Sequence, residues 1–358
     1  MFFGEWMLYA IPFLMFFSAV NVMDTFFIAE EIYKDAYETM IVSSLFKIIG
    51  IIIVGAVFFK ETLALPLEVI ALSVLGGILL SISFLFCSMS LFKYNDMALI
   101  HVFWGLSTPV TAVMAWFFLK EDLGIASYLG MAVIIVGAGL LSFSKKSLKC
   151  NLGSFSLMMI PLIVFYSLSE VVMKHVEEGL HADFWATFSW VCVGQVIFGL
   201  ILLAVRYGKV KERKLFQRIA NAKNRNLFVI SEMFELLGTF FMMLSIAKTP
   251  SVTYFAVMDS FLPLMVIILT GTTGSVMIML GKSKSLSVVF KENHLAGIAA
   301  KVAAIIMMAF GVYVMSCSSQ DAMNIINNLS RAGQGLFNNV EKVFFIDDLF
   351  RFLVGLLG

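Results

Sequence analysis

The sequence predicts an all-α integral membrane protein, with ten transmembrane helices in two inverted five-helix repeats. Three observations carry that prediction. The 358-residue chain is 60% hydrophobic and only 14% charged, with a mean hydropathy of +0.95, whereas a soluble domain carries about 25% charged residues. Its apolar residues fall in stretches of about 20, the length at which a helix crosses the ~30 Å hydrocarbon core of a bilayer. The chain also repeats itself: Ile11-Pro12-Phe13-Leu14-Met15-Phe16-Phe17-Ser18-Ala19-Val20-Asn21 lies over Ile160-Pro161-Leu162-Ile163-Val164-Phe165-Tyr166-Ser167-Leu168-Ser169-Glu170.

The stretches are residues 6–28, 40–59, 67–92, 97–119, 124–144, 154–176, 184–206, 227–247, 251–273 and 295–317. Helices are required, because an open strand edge in lipid leaves backbone N–H and C=O groups without partners. The first stretch is a retained span, not a signal peptide. Glu5 stands where a basic leader would be, and Glu30-Glu31 follow with no small-residue cleavage site. The connections are short and polar, with two exceptions. Residues 207–226 read as a basic loop, and 274–294 form a mixed segment with room for an interfacial helix. In the tail, 318–358, Leu336, Val340, Val343 and Phe344 recur at helical spacing. This reads as an interfacial or partner-binding amphipathic helix, with a disordered extension as the alternative.

The repeat continues beyond the first match. Phe86, Ser90 and Lys93 lie over Phe241, Ser245 and Lys248, and Pro109 meets Pro263 after a one-residue slip. The units are residues 1–150 and 151–317. Five spans per unit is an odd number, so the second copy enters the membrane from the opposite side. Inverted repeats of this kind place a substrate site near the midplane between the copies.

Residues Ala98-Leu99-Ile100-His101-Val102-Phe103-Trp104-Gly105-Leu106-Ser107-Thr108-Pro109 and the apolar run to Leu119-Lys120-Glu121 resemble the fourth-helix signature of the drug/metabolite transporter superfamily, EamA-type. The glycines from Tyr128-Leu129-Gly130 to Gly137-Ala138-Gly139 match the helix that follows. The resemblance spans about residues 6–317 and implies a ten-helix inverted repeat whose fourth helix lines a central cavity. The second copy departs from it: Gly274-Ser275 stands where Lys120-Glu121 would predict a basic or small residue and Glu.

Lysine and arginine concentrate in loop 145–153 (Lys145, Lys146, Lys149) and in 206–226, from Arg206 to Arg225. The positive-inside rule puts both loops in the cytoplasm. With ten spans the termini are then outside, opposite to what the resemblance implies for many relatives. The expected location is the cell, or inner, membrane.

Ionisable groups inside spans are expensive and face protein or a wet cavity. Asn21 and Asp24 share a face of helix 1, and Glu170 takes the place of Asn21 in the second copy. Asp24, near its span's end, has headgroup water as an alternative setting. Glu232 and Glu235 share a face of helix 8, where pairing with Arg225 or Lys223 is the structural alternative. Asp259 precedes Pro263 by one turn of helix 9, and proline donates no bond to its carbonyl. A salt bridge to Lys47 or Lys301 is its structural alternative. His101, Trp104 and Thr108 form a stripe on helix 4, where Pro109 similarly frees the Gly105 carbonyl. An aromatic wall beside a titratable group suits a cationic guest; packing and a backbone hydrogen bond are the alternative. Five acids (Asp24, Glu170, Glu232, Glu235, Asp259) against Lys47 and Lys301 make an interior that favours protonated carboxyls and disfavours anionic guests.

The pairs Ala126xxxGly130, Ala299xxxAla303 and Ala300xxxAla304 permit close helix approach, which assigns helices 5 and 10 to packing or to a homodimer. The cysteines Cys87, Cys150, Cys192 and Cys317 show no metal or disulfide spacing. Leu280-Gly281-Lys282-Ser283 resembles a P-loop ending, but Val276 occupies the required glycine position. No cofactor, metal, nucleic acid or enzymatic activity is expected. The expectation is a secondary transporter that moves a small cationic or zwitterionic solute by alternating access, with possible proton coupling through Asp259 and Glu170. The cavity is expected between helices 1, 4, 6, 8 and 9. A uniporter or exchanger for a neutral metabolite, and a non-transporting scaffold or receptor, are the alternatives.

Overall fold

The computed structural model describes residues 4–29, 32–94, 100, 103–121, 123–142, 152–221, 225–266, 268–269 and 298–316. The described residues form helices and turns, with no strand among them. In chain order the helices are α1 (Met7–Ala29), α2 (Ala36–Phe46), α3 (Ile48–Val57), α4 (Phe59–Leu63), α5 (Leu67–Tyr94), α6 (Ser107–Phe118) and α7 (Ile125–Ser142). They continue with α8 (Leu152–Lys174), α9 (Phe184–Glu212), α10 (Leu215–Asn221), α11 (Arg225–Lys248), α12 (Val252–Asp259) and α13 (Ile298–Ser316). A π-helical turn, His175–Gly179, extends α8.

Six helical stretches are long and apolar enough to cross a membrane: Met7–Asp24, Ala36–Val57, Leu67–Tyr94, Ser154–Gly179, Phe184–Glu212 and Arg225–Lys248. Four shorter apolar helices, Ser107–Phe118, Ile125–Gly137, Val252–Val266 and Ala303–Met315, accompany them. The fold is therefore all-α and built for multiple membrane passes. Large apolar side chains are left outward, among them Leu8, Ile52, Val113, Leu157 and Val205, as lipid-facing surfaces require.

Four elements differ from the sequence expectation. The second stretch is broken at Lys47, whose N–H turns back to Ser44 O at 3.3 Å, a tightened turn between α2 and α3. The expected loop 207–226 is largely helical: α9 runs on to Glu212, and α10 follows. Lysine and arginine are good helix formers, and Lys209 and Lys211 sit in the last turn of α9, where the helix dipole favours cations. The fourth and ninth stretches are interrupted at Gly105–Leu106 and at Ser260–Phe261. Pro109 and Pro263 each lie in the first turn of the resumed helix, where a missing N–H costs nothing.

Glycines set the closest approaches. A Cβ on Gly77 would lie 2.1 Å from Val191 O, and one on Gly194 would lie 2.1 Å from Val74 O, so α5 and α9 cross backbone to backbone. In the same way a Cβ on Gly130 would lie 2.5 Å from Gly311 O, so α7 and α13 pack as a pair. Buried Ala126 and Ala304 join that seam, while Ala303 faces outward. The small-residue reading therefore holds for Ala126, Gly130 and Ala304 and fails for Ala303. The segment 274–294, the tail 318–358, Cys150, Cys317, His101 and Lys223, together with the side chain of Lys301, lie outside the described residues. Cys87 and Cys192 are free thiols.

Both ends of the bundle are tied by polar contacts. At the end where α1 meets α2, Arg213 Nη1 reaches Asp35 Oδ2 at 2.6 Å and Arg218 Nη2 reaches Glu38 Oε2 at 2.6 Å. The hydrogen bond it donates to Asp35 holds the Arg213 guanidinium above its usual value. Tyr33 packs there against Phe27 and Phe228. At the opposite end, the Glu121 carboxylate accepts from Ser251 Oγ (2.5 Å), Val252 N (3.0 Å) and Thr253 Oγ1 (3.2 Å), capping α12. Lys174, 2% exposed, donates to Thr249 O at 2.5 Å, beyond the end of α11.

Candidate functional site

A cavity of about 60 Å³ opens inside the bundle, room for a few water molecules. Its polar wall is Asn21 and Asp24 from α1, Thr39 and Ser43 from α2, and Glu235 from α11; Phe17, Phe84 and Trp104 supply the aromatic wall. Asp24 thus lines the cavity, near the end of α1. The cavity lies toward the Asp35–Arg213 end, since Asp24, Thr39 and Ser88 are all near helix ends that meet there.

Glu235 is held from behind. Ser43 Oγ donates to its Oε1 at 2.5 Å, and Lys47 Nζ stands 3.0 Å from the same oxygen. Lys47 is 1% exposed and also reaches Thr239 Oγ1 at 3.5 Å. The break at Lys47 positions this amine against α11. Lys47 thus pairs with Glu235, and the expected alternative, a Lys47–Asp259 bridge, does not occur. Glu232, one turn nearer the end, accepts from Tyr33 OH at 3.0 Å, where pairing with Arg225 or Lys223 had been the structural alternative. Burial, followed by the Glu232 charge, holds the Tyr33 hydroxyl well above the usual tyrosine value, so it remains a donor at neutral pH.

Deeper in the bundle lies a second acid group, closed off from the cavity. Asp259 is 2% exposed and Glu170 is 0% exposed. Trp104 Nε1 donates to Asp259 Oδ2 at 2.6 Å, and Thr111 Oγ1 donates to Glu170 Oε2 at 2.7 Å. The Tyr166 ring meets Trp104 edge to face at 4.8 Å, and its hydroxyl turns to Met242 Sδ at 3.9 Å. Asp259 Oδ1, Glu170 Oε1 and Ser107 Oγ are buried without a hydrogen-bond partner among the described residues. Just beside this group the two interrupted stretches join. Thr108 Oγ1 donates to Ala256 O at 2.9 Å and meets Ser260 Oγ at 2.8 Å. Pro109 and Pro263 follow this junction; neither lines the cavity, and the Gly105 carbonyl, expected to be free, accepts from Thr108 N at 3.3 Å.

Of the residues expected from sequence, Asn21, Asp24, Glu235 and Trp104 come together at the cavity, while Glu170 and Asp259 come together behind Trp104. The cavity takes its walls from α1, α2, α5 and α11, from Trp104 and from Leu262. Two contributors were missed, α2 and α5, and Glu170 of α8 lies in the closed group instead of the cavity wall. The serines Ser43 and Ser88 were the available signal. Tyr166 and Thr111 were also missed, being uncharged polar groups inside apolar spans.

No family model and no curated protein matches this chain. Among 24 matching chains of known structure, one described as "Crystal structure of protein" superposes with a TM-score of 0.53 at 13% identity, covering 85% of this chain and 96% of its own. At that identity the likeness is one of fold alone.

Proposed function

We propose that this protein is a secondary transporter that moves a small organic cation or zwitterion by alternating access, coupled to protons. It is read as ten spans in two inverted five-helix repeats, akin to the EamA-type drug/metabolite transporters. The observation that carries the reading is the acid-lined, aromatic-walled cavity beside a separate buried carboxyl pair. Asp24 and Glu235 give a guest its negative partner, and Trp104, Phe17 and Phe84 give it π faces. Lys47 stands behind Glu235 and outside the lining, so the guest meets the acids first.

Helix pairing supports the repeat. If α1 corresponds to α8, α2–α3 to α9, α5 to α11, α6 to α12 and α7 to α13, then α1 on α11 mirrors α8 on α5. The pairs α2–α3 with α9, α6 with α12 and α7 with α13 each map onto themselves, as a two-fold relation demands. Pro12 of α1 and Pro161 of α8 keep the same place in both copies. In this reading the halves rock about the cavity, and Asp259 and Glu170 carry the proton exchanged for the guest.

The test is uptake of a mixed metabolite extract into proteoliposomes, with and without an imposed pH gradient, followed by mass spectrometry. Accumulation of an amine or amino acid only under the gradient is expected, and Asp259→Asn should abolish it in a folded protein. Equilibration independent of the gradient makes the protein a uniporter or exchanger. No flux from folded protein removes transport.

A further inference from the structure

The interior acids differ in what faces them, and one side chain touches both groups. Trp104 lines the cavity with its ring and gives its N–H to Asp259 Oδ2 at 2.6 Å. On the cavity side the ring meets Phe84, with centroids 6.0 Å apart; on the other it meets Tyr166. Neither Asp259 nor Glu170 lines the cavity. Of the residues that line the cavity, Trp104 is the one that also bonds to the carboxyl pair.

The surroundings of the pair leave no competing charge among the described residues. From α8 come Glu170 itself and the Tyr166 hydroxyl, and from α6 come Thr108 and Thr111. From α1, Phe13 packs on Phe255 at 5.2 Å. From α11, Met242 meets Tyr166, while Glu235 and Glu232 are engaged by Lys47 and Tyr33. One oxygen of each carboxyl is bonded and one is not. That arrangement accepts one proton between two acids but needs a route to water.

We infer that Trp104 is the access gate of this pair. With the indole on Asp259, cavity water does not reach the carboxyls. Rotation of the indole off Asp259 exposes Asp259 and Glu170, and a guest seated against the ring holds the gate shut, so guest occupancy and proton exchange at the pair exclude each other. Trp104 is a positioning residue in this scheme. The inference takes its purpose from the transport reading, and its geometry stands apart from it.

The experiment measures access directly. Full-length protein in lipid nanodiscs is treated with a water-soluble carbodiimide and glycine ethyl ester, and each carboxyl is followed by peptide mass spectrometry. In the wild type, Asp259 and Glu170 should react at least about tenfold more slowly than Asp24, the factor that ~1.4 kcal/mol of opening free energy imposes on a rate. Trp104→Ala should raise the Asp259 rate by about that factor while leaving Asp24 within about twofold. Trp104→Phe keeps a ring without the N–H. It should give an intermediate rate, and it carries the test if the alanine variant fails to fold. Wild-type Asp259 reacting as fast as Asp24 overturns the gate. So does an unchanged Asp259 rate in the variants, or a rise shared equally by all carboxyls. Labelling reads access alone: vesicles that move no solute while labelling follows the expected pattern would remove the transport reading and leave the gate. Flux through a protein whose pair is already open would do the reverse.

Discussion

Glu235 and Asp259 are both acids inside the bundle, yet they are held in opposite ways. Glu235 faces the cavity and has a lysine at its back. Asp259 faces no described cation and accepts from a neutral donor, the Trp104 indole N–H. A carboxylate with a counter-charge keeps a fixed charge at a wet wall, which suits binding. A carboxyl among neutral donors changes its proton at lower cost, which suits coupling. The difference teaches that chemical role here follows from what stands behind each acid, not from the acid itself.

The largest expected effect separates the two sites by stability. Lys47→Met strands the Glu235 charge and should cost roughly 3–5 kcal/mol, read by denaturation in detergent, and adding Glu235→Leu should recover most of it. Asp259→Asn should leave the melting curve close to wild type, and an equal loss there would erase the distinction. Next in size, Asp24→Asn should weaken guest binding by about tenfold, or ~1.4 kcal/mol, while transport remains dependent on the pH gradient. If the gradient dependence disappears instead, Asp24 belongs with the coupling pair. Third, Tyr33→Phe should cost ~1 kcal/mol through the lost bond to Glu232. Because the folded-state value of Tyr33 is raised, its contribution is complete below the ordinary tyrosine value and lost as pH climbs past about 10. The wild type should therefore lose stability in alkali more steeply than the variant. The smallest effect belongs to Trp104→Phe: with the ring retained, equilibrium guest affinity should stay within about threefold, measured by calorimetry.

Much of the fold was legible from hydropathy. The described helix limits of α1, α5, α8 and α11 lie within a few residues of the apolar stretches, because the bilayer dictates both length and composition. The break at Lys47 was not legible, since no proline or glycine marks it. The continuation of α9 was hidden by reading a run of basic residues as a loop. Most of the acids that mattered could be found, because a charge in an apolar run is conspicuous. Their sorting into two groups could not. Trp104 and Asp259 stand 155 residues apart, and Ser43 and Glu235 stand 192 apart. Such pairings come from helix packing and leave no local pattern. Neutral partners such as Thr111 and Tyr166 are equally silent, being common in any span.

One earlier feature constrains how the molecule can move. Glu121, just after α6, grips the start of α12 through three hydrogen bonds. Thr108, at the other end of α6, grips the Ala256 carbonyl and Ser260 near the end of α12. These two short helices, one from each stretch of the chain, are stapled at both ends and turn together like an axle. In the proposed alternating-access cycle, α1, α2, α5 and α11 would move as the walls around this axle, and the carboxyl of Asp259 would ride on it.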